Sequence, residues 1–474
     1  MRNLSNQLSL ADIYEECVHL LEHEKPRFIQ LLEQTIDFAD FIPKSFYDDF
    51  YKHFGRKREY PLTGFISSCV LQKIYGIPSD ILLIIFLVSS KELREFCGFD
   101  KVPDPSKFTR FKQTFAQNLF EMFSNLVDYT EPICQELDKV KASTLLYDTT
   151  GIEGYVTENN PKYTASLIRK LKAANKNNPH IDPYRLAYGL MPPHSAADKN
   201  IKQMHINGRF CYAHKATLIT NALGIIRHVQ FLDDEFKQNH NELVIEKRTD
   251  CPDEDKSIGD STSLQPVLTD FFAHHPDFSY HTFLADSAFD KGGHYTFLKE
   301  HFKRVLIPIN PRNTSDLPPV GYNEYGYPVC PNDPSLPMRL LGKTCEKGRS
   351  HRLKWRCPKV EIVKGTVSCS CPKPCSNAKF GRTSYTFEGQ DFRMLPGIVR
   401  DSDEWIKTFK LRPIIEQTIN HFKINMCVAE RKTRNLPSTK ADFLLAGIAQ
   451  LFSVVVACRM KKPELFRSLK RLIA

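Results

Sequence analysis

Two apolar segments that each end on an aspartate constrain the fold of this chain more than any other feature. The run STLLYDTT reaches Asp148, and the later run YHTFLADSAFD reaches Asp286. Both contain the apolar and aromatic residues that favour β-strands. Open α/β sheets place ligands at the carboxyl ends of their strands. The two runs therefore predict two strands that end at a binding site, with the two carboxylates as neighbours.

Further strand and helix signals lie between and after these two runs. FCYAHKATLIT and GIIRHVQFL flank the turn signal Asn221-Ala-Leu-Gly224, which predicts an antiparallel strand pair. A helix predicted over 291–301 precedes another strand in KRVLIPINP, residues 303–311. Strands interleaved with helices indicate a mixed α/β sheet.

A third carboxylate follows in LRPIIEQTINHFK, residues 411–423. Pro413 suits the first position of a helix, where its missing N–H leaves no bond unmade. Arg412, Glu416 and Lys423 stand four and seven residues apart, so they share one face wherever the backbone is helical. An exposed ladder of ion pairs, which is common on helices, is one interpretation of this spacing. The other interpretation is a helix that presents Glu416 as a metal ligand between two cations.

An aspartate after a strand is common in turns, so Asp148 or Asp286 alone indicates little. With Glu416 they predict an acidic triad, whose oxygen ligands suit Mg²⁺ or Mn²⁺. Two such ions about 3.5–4 Å apart can activate a nucleophile and stabilise the leaving oxygen of a phosphodiester.

The first 140 residues predict short amphipathic helices. The apolar run Ile81–Val88 is much shorter than the ~20 residues that cross a membrane, and it predicts a buried helix capped by Ser79 or Asp80.

A later helix, which begins near Ser106, has Lys107, Arg110 and Lys112 interleaved with phenylalanines. Short helices that end in one with a basic first turn are typical of a helix-turn-helix DNA reader. A plain helical bundle is the alternative.

Composition agrees with a nucleic-acid partner without requiring one. The 474 residues include 65 Lys and Arg against 55 Asp and Glu, a net charge of +10. The N-terminal sequence shows no export signal, so we expect a cytoplasmic protein with no membrane partner. The 14 cysteines are accordingly expected as reduced thiols, core residues or metal ligands and not as disulfides.

These motifs resemble those of the DDE transposases of bacterial insertion sequences, in the group with a Tyr-x2-Arg-x3-Glu-x6-Lys signature. Phe409, Arg412, Glu416 and Lys423 preserve all three gaps of that signature. YDTTG and ADSAFD resemble the family's two aspartate motifs, and residues 60–123 resemble the helical region that precedes its catalytic core. Two departures are the Phe409 ring, which lacks the tyrosine hydroxyl, and Ser287-Ala288, which replace a frequent glycine.

The resemblance implies a ribonuclease H-like mixed sheet in which Asp148, Asp286 and Glu416 are catalytic and hold two Mg²⁺ or Mn²⁺ ions. It implies that Arg412 and Lys423 bind DNA phosphates. The expected partners are double-stranded DNA, as element terminal inverted repeats and target DNA, and a second copy of the chain in a synaptic homodimer. The expected activity is cleavage of element ends and strand transfer. A nuclease without strand transfer and a non-catalytic DNA-binding descendant remain alternatives.

These interpretations predict four segments: a helical DNA-binding domain at 1–140, the first part of the catalytic core at 141–311, an insertion at 312–400 and the C-terminal core helices at 401–474. The insertion is rich in proline and turn residues. Clustered thiols there predict a structural zinc site, and unligated thiols are the alternative. The six cysteines concerned are Cys330, Cys345, Cys357, Cys369, Cys371 and Cys375.

Overall fold

The computed structural model describes most of the chain. The described residues are 26–52, 55–176, 178, 180–206, 209–243, 258–310, 320–323, 325–344, 352–363, 365–378, 380–387, 392–393, 396–400, 402–430 and 433–473. The chain divides into two compact units. The first comprises Met1–Leu137, Gly151–His214 and Ile419–Ala474, and the second comprises Asp138–Thr150 and Lys215–Thr418.

After a helical beginning, the chain mixes helices and strands. In chain order the α-helices are α1 (Arg27–Thr35), α2 (Lys44–Phe50), α3 (Leu62–Tyr75), α4 (Asp80–Ser89), α5 (Lys91–Phe96), α6 (Pro105–Thr114), α7 (Ala116–Leu137), α8 (Lys139–Ala142), α9 (Pro161–Ala174), α10 (Pro183–Leu190), α11 (Asp234–Asn239), α12 (Asp260–His274), α13 (Gly292–His301), α14 (Asp403–Phe409), α15 (Pro413–Asn420) and α16 (Leu436–Arg459). The strands are β1 (Thr144–Glu153), β2 (Lys202–Ile206), β3 (Arg209–Asn221), β4 (Ile226–Phe231), β5 (Thr282–Leu284), β6 (Arg304–Leu306), β7 (Val329–Cys330), β8 (Asp333–Pro337), β9 (Arg339–Thr344), β10 (Arg352–Arg356), β11 (Val360–Val363), β12 (Thr366–Cys369) and β13 (Thr383–Phe387).

The first unit is built around α16. This helix begins behind an Asn435 cap, whose side chain accepts a hydrogen bond from the Ser438 N–H, and it packs against α3 and α7. It is long and apolar enough to cross a membrane, as is the α3–α4 pair if those two helices, bent by 103°, count as one span. However, 94% of the apolar window of α16 is buried within the protein. A core helix has this composition too.

Four charged side chains form a buried ion cluster in the first unit. Asp442 on α16 lies 3.3 Å from the Lys73 ammonium and 3.1 Å from that of Lys112, and Lys112 is also 2.7 Å from Asp80. Lys112 is therefore not part of an exposed basic turn, contrary to the sequence interpretation. Its position, one residue after Phe111, turns it towards the core, where two carboxylates compensate its charge.

Helix α4 also differs from its prediction. Ser79 caps it as expected, accepting from the Leu82 N–H. Only Leu83 and Leu87 are buried, and Leu82 and Ile84 are half-buried. Four large apolar side chains of the helix are exposed by 44–63%: Ile81, Ile85, Phe86 and Val88. The prediction of a buried helix was wrong, because an uninterrupted apolar run does not show how many faces of a helix find neighbours.

The second unit contains a mixed sheet, so the α/β class is confirmed. Its strands follow the order β4-β3-β1-β5-β6. Strands β3 and β4 are antiparallel around Asn221–Gly224, as predicted, and β1, β5 and β6 run parallel. Helices α12 and α13 cover one hydrophobic core, which includes Tyr147, Phe271 and Phe283. In the first unit, β2 pairs with the beginning of β3.

Smaller antiparallel sheets occupy the described part of residues 320–387. They are β13-β10-β9, β11-β12 and β7-β8. Trp355 is buried in the first of these sheets and donates a hydrogen bond to the Thr386 hydroxyl at 2.6 Å.

A close approach of two backbone segments in the second unit requires a glycine at position 397. Gly397 has φ +76°, and a Cβ there would overlap the carbonyl oxygen of Lys303. We expect Gly397→Ala to destabilise the protein by about 1–2 kcal/mol for the left-handed backbone and about 1–3 kcal/mol for the overlap. Urea unfolding followed by circular dichroism measures this. Gly292→Ala is the control, because a Cβ at Gly292 meets nothing within 4 Å. Equal stability of the two variants would contradict the prediction.

Candidate active site

Asp148 lies inside a strand, and not at its end as predicted. Strand β1 continues to Glu153, because Thr149, Thr150 and Ile152 also favour extended backbone. The Asp148 side chain is 15% exposed, and its Oδ1 accepts a hydrogen bond from the Thr149 N–H at 2.8 Å.

Asp286 follows the neighbouring strand, as predicted. Residues 144–146 of β1 pair in parallel with 282–284 of β5, so Asp148 and Asp286 each lie two residues beyond the paired segments of adjacent parallel strands. Asp286 starts a short 3-10 turn and accepts from the Ala288 N–H at 2.8 Å.

The loop after Asp286 is held by a second aspartate. Asp290 accepts two hydrogen bonds from the Arg393 guanidinium, at 2.9 and 2.7 Å, and one from the Asn310 N–H at 2.9 Å. Burial acts to raise the pKa of Asp290, but the hydrogen bonds from Arg393 and from the Asn310 N–H outweigh it and hold this pKa below its usual value. Asp290 thereby fixes the loop on which Asp286 lies.

Glu416 is carried by α15, which begins at Pro413 as predicted. Arg412 immediately precedes this helix, and its guanidinium contacts all three predicted carboxylates. It lies 3.1 Å from Asp148 Oδ2 and 3.6 Å from Asp286 Oδ2, and it donates a hydrogen bond to Glu416 Oε1. The Arg412 side chain is only 13% exposed. The structure therefore brings together three carboxylates that are far apart in the sequence.

Burial and neighbouring negative charges disfavour the ionised form of the Asp148 carboxyl group at this site. Burial raises the pKa of Asp148 to about 6; Arg412 opposes the rise, and the charges of Asp286 and Asp260 add to it. A site that concentrates carboxylates in this way favours a bound cation. In the described part of the chain no three His, Cys, Asp or Glu side chains are grouped closely enough to hold one metal ion, and here the carboxylates contact Arg412.

A fourth carboxylate near the site was missed in the sequence. Asp260, at the start of α12, accepts a hydrogen bond from the Thr149 hydroxyl at 2.9 Å and lies 2.6 Å from the Lys215 ammonium. Lys215 also donates to the Ile258 carbonyl at 2.5 Å. Asp260 gave no signal in the sequence, because it follows several other acidic residues and is not preceded by a strand pattern.

The other predicted DNA contacts lie in the first unit. Lys423 lies in a π-helical turn, His421–Asn425, whose wider winding changes the face expected from α-helical spacing. Lys107 and Arg110 are exposed on α6. In the second unit, the Phe409 ring stacks against Trp405 with centroids 6.3 Å apart, which is a packing role for the residue that replaces the signature tyrosine.

The predicted zinc cysteines differ in exposure. Cys330 and Cys357 are buried, Cys369 is exposed, and Cys371 and Cys375 are intermediate. Burial raises the pKa of Cys357, and the nearby Cys330, Cys369 and Cys375 thiols add to the rise. These thiols lie near one another. In the described part of the chain, however, no three of them are close enough together to hold one metal ion. Cys345 lies outside the described residues.

Comparison with known families gave one match. Residues 17–114 match the family described as Transposase domain (DUF772), which is about a fifth of the chain. The match includes Lys107 and Arg110 and ends before Asp148. It supports a transposase family for this protein and does not extend to the three carboxylates. A search of curated proteins found no match.

Proposed function

We propose that this protein is a DNA transposase that cuts the ends of an insertion sequence and joins them to target DNA by metal-dependent phosphoryl transfer. The observation that carries the proposal is the contact of one guanidinium, that of Arg412, with Asp148, Asp286 and Glu416. The match of residues 17–114 to a transposase domain supports the same activity independently.

The sheet supports a ribonuclease H-like core for this activity. In the order β4-β3-β1-β5-β6, an antiparallel pair lies on one side of β1 and parallel strands on the other. Asp148 lies on the central strand and Asp286 follows its neighbour. We retain the four-segment division at 1–140, 141–311, 312–400 and 401–474 as part of this proposal.

The donor set fits hard divalent cations, because all three groups are carboxylates and carboxylate oxygens are the ligands that such cations prefer. Asp148, Asp286 and Glu416 would hold two Mg²⁺ or Mn²⁺ ions, which would activate a water or a 3′-hydroxyl and stabilise the leaving oxygen.

The chain's own residues position this donor set. Asp290 and Arg393 hold the loop of Asp286, and Lys215 with Thr149 holds Asp260 beside Asp148. Arg412 compensates the carboxylate charge.

For DNA, we propose backbone contacts by Arg412, Lys423, Lys107 and Arg110 to double-stranded terminal inverted repeats and target DNA. A homodimer that holds two ends and a cytoplasmic location complete the proposal.

A joining assay tests this activity. Labelled duplexes from the DNA that borders the gene are incubated with the full chain, Mg²⁺ and a circular plasmid. We expect label covalently attached to the plasmid. Cut but unjoined duplexes would indicate a nuclease, and bound but uncut duplexes would indicate a non-catalytic DNA-binding protein; either result would contradict the proposal.

For the cysteines, we propose a structural zinc site drawn from the five described thiols and Cys345. Protein purified under reducing conditions should retain about one zinc ion per chain after dialysis, and Cys369→Ser with Cys371→Ser should remove it, because thiolates are the zinc ligands. Elemental analysis measures this. Cys458→Ser, which alters an exposed thiol in the first unit, should leave the zinc content unchanged. Zinc-free wild-type protein would contradict the site.

A further inference from the structure

A cleft in the first unit is lined by cations from two separate segments. Its volume is about 210 Å³, and the loop before α3 and the exposed face of α6 form its walls. We call it the basic cleft, and its cations are Arg56, Lys57, Arg58, Lys107 and Arg110. The loop cations were not singled out in the sequence, where they lie outside any helix pattern.

The aromatic core explains why the cations of α6 face the cleft. Phe108, Phe111 and Phe115 are exposed by 0%, 3% and 5%, so their side of the helix is buried. Lys107 and Arg110, three residues apart, lie next to each other on the adjoining, exposed side, and Phe111 and Phe115 line the cleft beside them.

Arg58 is held in place by the protein itself. Its Nε donates a hydrogen bond to the Phe50 carbonyl at 3.0 Å, and its guanidinium lies 4.7 Å from the centre of the Phe50 ring and 5.7 Å from that of Phe115. Arg56 and Lys57 precede it and are exposed. The loop thus presents two exposed cations, Arg56 and Lys57, beside Arg58, which is held by a hydrogen bond.

The charge of the basic cleft remains strongly positive after its acidic neighbours are included. Glu59 lines the cleft, and Asp104 caps α6. Hydrogen bonds from Ser106 lower the pKa of Asp104, and Lys107 and Arg110 lower it further. Five cations therefore face two carboxylates, which favours a polyanion as the partner.

We propose that the basic cleft binds the sugar-phosphate backbone of double-stranded DNA, with Arg56 and Lys57 as phosphate contacts. The inference rests on the proposed transposase function. DNA is favoured over other polyanions because all five cations lie within residues 17–114, the segment that matches a transposase domain. Contacts from arginine and lysine to phosphates fix the position of a duplex without reading its sequence, so the proposed role of the cleft is to position the duplex.

The test removes two cations without touching the anchored one. Arg56→Gln with Lys57→Gln, in the full chain, should weaken binding to a duplex from the DNA bordering the gene and to a scrambled duplex alike. Each phosphate contact contributes about 0.9 to the slope of log K against log salt, so the slope should fall by about 2. The control removes two exposed cations from the second unit, Lys299→Gln with Lys303→Gln.

The outcomes separate the cleft from the function. If the wild type binds and joins DNA and the salt slope of the cleft variant is unchanged, the cleft is not a DNA-binding site and the proposed function still holds. Wild-type protein that binds no duplex overturns both. A loss confined to one DNA sequence overturns backbone binding, and a loss seen only with duplex RNA or anionic vesicles assigns the cleft to another partner. An unchanged melting temperature in the variant shows that it folds.

Discussion

Replacing Glu416 by glutamine is expected to abolish DNA cleavage and joining while leaving DNA binding intact. A neutral amide is a poor ligand for Mg²⁺, and the charge that draws the cation is lost. We expect a fall in cleavage rate of at least about 10²-fold, the size found when one stabilising group is removed from an active site. Binding should persist or tighten, since the site then repels phosphates less. Gel-shift and cleavage assays on the same samples measure both.

The matched control is Glu300→Gln, which makes the same change on the exposed end of α13 in the second unit. If Glu416 only formed a surface ion pair with Arg412, both variants would cleave at the wild-type rate, because exposed pairs contribute about 0–1 kcal/mol. Asp148→Asn and Asp286→Asn should behave like Glu416→Gln. Wild-type cleavage by any of the three variants would remove that residue from the site.

Replacing Asp442 by asparagine is expected to destabilise the protein more than any other exchange of similar size. Asp442 is the shared partner of Lys73 and Lys112, and all three side chains are at most 2% exposed. Loss of its charge leaves Lys73 buried beside a neutral amide, and removing one partner of a buried ion pair costs about 3–5 kcal/mol. The urea midpoint of the full chain should fall accordingly.

An exposed carboxylate on the packing helix α7 provides the comparison. Glu136→Gln should change the urea midpoint little, because Glu136 faces solvent. Lys112→Met should lower the urea midpoint less than Asp442→Asn does, because Asp442 then remains as the partner of Lys73. Equal midpoints for Asp442→Asn and Glu136→Gln would show that the buried ion cluster contributes nothing to stability.

Local sequence patterns predicted the elements that carry the site. The strand signals before Asp148 and Asp286, the turn at Asn221–Gly224 and the helix start at Pro413 all depend on neighbouring residues, and all are present. The strand pattern also predicted that Asp148 and Asp286 are neighbours, whereas the addition of Glu416 depended on its residue type and was strengthened by the resemblance. No spacing in the sequence predicts that Arg412 contacts Asp148 and Asp286.

The features that were missed depend on contacts between distant segments. Lys112 is buried because Asp442 lies beside it, 330 positions later in the sequence. Helix α4 remains half exposed because no described element covers Ile81 or Ile85.

Binding of Mn²⁺ to the full chain tests the central claim most directly, because it examines the carboxylate site without reference to any DNA sequence. Electron paramagnetic resonance of free Mn²⁺ measures the affinity. Asp148→Asn and Glu416→Gln should each lower it by at least about ten-fold. Asp277→Asn, at an exposed position of the same unit, should bind as the wild type does. Equal affinity in all four proteins would contradict a metal site at Asp148, Asp286 and Glu416.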